Sequence, residues 1–137
     1  LNYLHLFDMV LDFIERDFID KEAFLGARNI FFSPIDYPTH YDSVYLPTRY
    51  KDQFKSRLDS FDKELTKTGI SKYVLDDIMN KLKIVYERSI TKNFNLEQMK
   101  ECKVITDKLD IIRKEKFEDI FPYFNSSKDL ITQWKQL

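Results

Sequence analysis

A chain of 137 residues with 33% charged side chains and a formal net charge of −1 can bury a core of roughly two-thirds of its unfolded surface. It carries no overall field that would draw nucleic acid or anionic lipid. Twelve Phe and eight Tyr argue against disorder, two Gly argue against a loop-built β protein, and one Cys excludes both an internal disulfide framework and a thiolate-held cluster made by this chain alone.

In chain order, Leu4, Phe7, Val10, Leu11, Ile14 and Phe18 recur at spacings of three and four, which predicts a helix over residues 3–19. Its other face carries Asp8, Asp12, Glu15, Arg16 and Asp17. Residues 28–33 read as a strand, because Ile30, Phe31 and Phe32 favour the pleated conformation between Gly26 and Pro34. A lone strand is unstable, so either its partner strands come from a missing N-terminal part or the segment is not a strand. The stretch from Pro34 to Pro47 breaks the helical rhythm and gathers Tyr37, Tyr41 and Tyr45 around His40. An ordered aromatic loop among helices is the first place to seek function.

Beyond Pro47, Tyr50, Phe54, Leu58, Phe61 and Leu65 predict a helix over residues 49–67, closed by Gly69 as a left-handed cap. Ser71 caps the next, whose apolar set is Val74, Leu75, Ile78, Met79, Leu82, Val85 and Tyr86. The two form an antiparallel hairpin. Asn95 with Gln98 is a capping-box pattern opening a further helix with Leu96, Met99, Cys102, Ile105, Leu109 and Ile112 on one face. Phe117 to Phe124 is aromatic and interrupted by Pro122; Ser126 or Ser127 then caps a short final helix carrying Leu130, Ile131 and Trp134. The fold class is mainly α, with four to five helices and the one short strand. No linker divides the chain, which is a single domain or a C-terminal fragment with residues 1–47 as helix, strand and loop and 48–137 as a helical extension. The start at Leu1, already in helical pattern, favours the fragment.

Candidate chemistry is sparse. His5 between Leu4 and Leu6 fits a packed or solvated helix position, whereas His40, with an ordinary pKa near ~6.5, sits where proton transfer or ligand contact is accessible. No second His or Cys stands at metal-ligand spacing, and two glycines cannot build a phosphate loop. Cys102 falls on the packed helix face, and Asp76, Asp77, Asp107 and Asp110 fall on solvated ones, Asp110 at the i,i+3 pairing distance from Arg113. No catalytic residue and no metal ligand is assigned. Lys and Arg are mixed with Asp and Glu throughout, no apolar run reaches the roughly 20 residues of a spanning helix, and no secretion signal precedes the first helix. The expectation is a cytoplasmic chain that binds neither nucleic acid nor membrane.

The order of a helix opening on Leu1-Asn2-Tyr3-Leu4-His5-Leu6, a strand ending Phe31-Phe32-Ser33-Pro34, a proline loop, Leu46-Pro47, then Thr106-Asp107-Lys108-Leu109-Asp110-Ile111-Ile112-Arg113 and Asp119-Ile120-Phe121-Pro122 resembles the C-terminal part of twitch-type radical S-adenosylmethionine proteins. The resemblance implies an open α/β barrel completed by the strand at 28–33, with the N-terminal part of the barrel supplied elsewhere in the same protein or by a partner protein. It implies S-adenosylmethionine and a [4Fe-4S] cluster for the full-length protein. None is bound by this chain alone, since the family's Cys-x-x-x-Cys-x-x-Cys motif is absent from it. The chain would be a substrate-contacting and structural segment that is not catalytically self-sufficient, with Tyr37, His40, Tyr41, Tyr45 and Arg49 as substrate-binding residues. The alternative is a non-catalytic α-helical protein–protein interaction module, anchored through Tyr37, Tyr41, Tyr45 and Trp134.

Overall fold

The computed structural model describes residues 3–22, 32–33 and 42–120, with 132, 135 and 136 near the C-terminal end. In order these form α1 (Leu6–Glu15), a single 3₁₀ turn η1 (Ser43–Tyr45), α2 (Thr48–Thr66), α3 (Lys72–Ser89), α4 (Leu96–Arg113) and the short α5 (Phe117–Ile120). The described part is mainly helical and contains no strand. Of the expected strand at 28–33, Phe32 and Ser33 are described and are not in a ladder, while 28–31 lie outside the described residues. Phe32 instead packs its ring on the helical core.

Helix α1 buries Phe7, Val10 and Ile14 as their spacing requires, but it ends earlier than its apolar pattern suggests. Asp17 adopts φ 56°, and the amides of Asp17 and Phe18 turn back to the carbonyls of Ile14 and Phe13. This is the Schellman closure, usually built on glycine. Phe18 is therefore no part of the helix's apolar face. It is 67% exposed and meets Phe13 edge-on at 5.9 Å, the apolar contact that accompanies this motif. Asp can adopt the left-handed conformation because its short side chain bonds locally.

Helix α2 buries Phe54, Leu58, Phe61 and Leu65, together with Lys51. Gly69 follows it at φ 78°, the left-handed position that its type predicts. Ser71 accepts the Val74 amide and starts α3. The Ser71 amide in turn donates to the Lys21 carbonyl at 2.8 Å, which fastens the segment after α1 to the α2–α3 connection. Lys51, near the start of α2, reaches the carbonyl of Lys92 just past the end of α3, so the two helices run antiparallel. Arg57 bonds Asp8 on α1 and Glu64 on α2 and lies over the rings of Phe7 and Phe61, joining α1 to α2 at the edge of the core.

Asn95 accepts the amides of Glu97 and Gln98, so the forward half of the expected capping box is present. The return half is not: Gln98 Oε1 is buried with no partner among the described residues. The buried face of α4 is Met99, Cys102 and Thr106, which differs from the expected face in excluding Leu96 and Ile112, both exposed. Lys114 closes α4 at φ 57°, with the Glu115 amide returning to the Asp110 carbonyl. The Asp110 carboxylate accepts the Phe117 amide at 2.8 Å and starts α5. Asp110 thus has this role in place of the pairing with Arg113 suggested by spacing, and Arg113 lies 3.7 Å from Glu115. Asp107 pairs with Lys103, Asp76 with Lys72 and Asp77 with Lys81 on helix surfaces. The expected final helix with Leu130, Ile131 and Trp134 lies outside the described residues.

Because Lys114 holds a left-handed backbone without being glycine, Lys114→Gly relieves a strain of about 1 kcal/mol. A rise of a few degrees in thermal midpoint is expected; an unchanged or lower midpoint would show that Lys114 is not strained.

Candidate functional site

The segment from Asp42 to Lys51 holds the two described members of the expected site, Tyr45 and Arg49; Tyr37, His40 and Tyr41 lie outside the described residues. Asp42 Oδ1 accepts the Val44 amide at 3.1 Å, the Asx-type cap that bends the chain into η1. Its other oxygen accepts Arg88 Nη2 of α3 at 3.1 Å. Val44 is buried, and its carbonyl accepts Lys51 Nζ at 2.8 Å. The same ammonium donates to the Lys92 carbonyl at 2.8 Å. One buried cation therefore ties together η1, α2 and the α3–α4 connection. Loss of water pushes the Lys51 pKa down from its usual value, opposed by the negative charge of Asp42.

Tyr45 and Arg49 border this brace without sharing a role in it. The hydroxyl of Tyr45 lies 3.3 Å from Lys92 Nζ, and that ammonium sits 5.3 Å from the Tyr45 ring centroid. Arg49 Nη2 donates to the Tyr50 hydroxyl at 3.2 Å, with its guanidinium 5.1 Å from that ring. Burial raises the Tyr50 pKa, and the neighbouring Arg49 acts in the other direction. Both expected residues are thus engaged in cation–aromatic contacts within the chain.

A second buried network lies close in sequence to Arg88. Ser89 Oγ donates to the Tyr86 carbonyl at 2.7 Å, which commits its only proton, so the Tyr3 hydroxyl donates to Ser89 Oγ at 2.7 Å. Burial pushes the Tyr3 pKa up to about 12. Cys102 is packed away from solvent, and its burial raises the thiol pKa. Among the described residues no three His, Cys, Asp or Glu side chains are grouped to hold a metal ion, and no helix is long and apolar enough to cross a membrane.

Asp42, Lys51, Arg88 and the Tyr3–Ser89 pair were not legible as a site. The one available signal was Lys51, which stands three residues before Phe54 in the row 51, 54, 58, 61, 65. A lysine in an apolar row is a candidate for a buried, fully bonded ammonium. Comparison of the chain with protein-family models, curated proteins and solved structures finds no match in any of the three.

Replacing Lys51 with Met keeps the stem but leaves the Val44 and Lys92 carbonyls without their donor. A loss of about 2–3 kcal/mol in urea unfolding is expected, and a loss below about 0.5 kcal/mol would mean water replaces the ammonium without penalty. For Tyr3 the folded pKa lies above the unfolded value near ~10. Its neutral form is therefore favoured in the fold, and its stabilisation is intact below pH ~10 and lost as pH rises toward 12. The wild-type chain should lose urea stability over that window more steeply than Tyr3→Phe, while identical slopes would show that Tyr3 does not titrate with folding.

Proposed function

We propose that this chain is a non-catalytic, cytoplasmic α-helical interaction module whose binding surface is the outward face of α4. The carrying observation is that α4 is apolar on both sides. Met99 and Cys102 are buried in the core, yet Val104, Ile111 and Ile112 are 52%, 78% and 74% exposed. A helix of a solitary globular unit presents charge to water on its outer face, and apolar groups there mark a surface made to be covered. The polar node around Lys51 suits this role, since its charges are used to join segments of the chain.

A second function, the C-terminal substrate-contacting segment of a radical S-adenosylmethionine enzyme with an open α/β barrel, draws support from the resemblance and from Tyr45 and Arg49 flanking the same η1–α2 corner. A reading frame that places the three cluster cysteines upstream on the same polypeptide would favour it. A frame without them would remove it.

The interaction module is tested by cross-linking of the chain in cell extract through Lys108 and Lys114. Macromolecular partners attached at these lysines are expected, and their loss in the double variant Ile111→Lys with Ile112→Lys, at unchanged helicity and melting temperature. Cross-linked partners that persist in that variant, or none with either chain, would overturn this function.

A further inference from the structure

Resting on the assignment of α4 as an interaction surface, we infer that the partner of this face is α4 of a second copy of the chain, aligned parallel and in register. At about 3.6 residues per turn, Val104 and Ile111 fall on one line along the helix, opposite the buried Met99, Cys102 and Thr106. Lys100 and Asp107 lie along one side of that line. Glu101 and Lys108 lie along the other. All four are exposed.

The order of these charges selects the partner and its direction. In a parallel pair related by a two-fold axis, each helix presents opposite flanks to its neighbour. Val104 then packs on Val104 and Ile111 on Ile111. Lys100 meets Glu101 of the second copy and Asp107 meets Lys108 of the second copy, each twice by symmetry. An antiparallel pair sets each flank against itself. If it is placed so that Val104 covers Ile111, Asp107 approaches Asp107 and Lys108 approaches Lys108. If it is shifted to match Glu101 with Lys108, Ile111 lies against Glu97. The parallel register alone covers both apolar residues and matches the four charges; its cost is Glu97, seven residues before Val104 on the same line, set against Glu97 of the second copy at the exposed first turn of α4, where Lys100 lies 3.7 Å away.

Within α4, Lys100 pairs with the exposed Glu97 at 3.7 Å and Asp107 with the half-buried Lys103 at 2.6 Å. The exposed Lys100–Glu97 pair exchanges partners at little free-energy cost, and Asp107 keeps Lys103 on Oδ2 and offers its other oxygen to Lys108 of the second copy. The seam is one helix face of 18 residues, about 27 Å long, which is smaller than standard interfaces. It fits a weak dimer with a dissociation constant on the order of 100 µM.

Sedimentation equilibrium of the purified chain over a concentration series is expected to show a mass rising from one copy toward two. Ile111→Lys should weaken association by more than tenfold without lowering the melting temperature. Lys108→Glu should weaken it too, and adding Asp107→Lys should restore it. Carbodiimide coupling of an equal mixture of isotope-labelled and unlabelled chain should give mixed-isotope links between Lys100 and Glu101 and between Asp107 and Lys108. Mixed links between Glu101 and Lys108 in their place would overturn the parallel register. A single-copy mass at every concentration would overturn self-pairing, while cross-links to other proteins at Lys108 would leave the interaction module standing.

Discussion

The ring of Phe54 is the point on which the arrangement of the first three helices depends. Tyr3 stacks on it at 4.3 Å, Phe7 tilts against it at 4.6 Å, and Tyr86 lies parallel at 6.4 Å. One side chain of α2 thus receives the residues leading into α1, α1 itself and α3. Aromatic rings bring large apolar area with few rotatable bonds, so such a cluster gains burial at a small loss of side-chain freedom. The Tyr3 hydroxyl then reaches past the stack to Ser89, which sets the distance between the start of the chain and the end of α3.

Around this apolar centre the chain uses buried charge to hold what has little regular structure. Three residues of η1 cannot fold alone, because the turn closes few hydrogen bonds for the backbone it fixes. Asp42 and Lys51 supply what is missing, one from within the segment and one from α2. Most buried ammoniums are matched to carboxylates. Lys51 donates instead to two main-chain carbonyls, one in η1 and one just past the end of α3. That arrangement specifies where residues 42–46 rest more than it adds stability, since desolvating the ammonium opposes the gain from its bonds.

Where the fold was legible, several local signals agreed. Helices α2 and α3 were marked by apolar period, by Gly69 and by Ser71, and they lie within a residue or two of the expected bounds. Asn95 marked the start of α4 equally well. The end of α1 was not legible, because Asp17 holds the left-handed conformation without being glycine. The inner face of α4 was misread for a different reason. Its apolar residues spread over more of the helix surface than the core covers, and their spacing does not tell which part of that surface the core takes. Of the expected site, Tyr45 and Arg49 were placed at the η1–α2 corner, but the bonds that organise the corner come from Asp42, Lys51 and Arg88. Lysine and arginine in a mixed-charge sequence look solvated unless the burial of their neighbours is known.

The two kinds of fastening in this chain respond differently to dissolved salt. Arg57 holds α1 to α2 through carboxylates at the protein edge, where added ions within a Debye length of about 10 Å at 0.1 M weaken the attraction. Lys51 is buried and donates to two uncharged carbonyls, bonds on which dissolved ions act less than on the exposed ion pairs of Arg57. Ionic strength therefore acts on the chain unevenly: it loosens the grip on α1 while η1 keeps its seat against α2 and the end of α3.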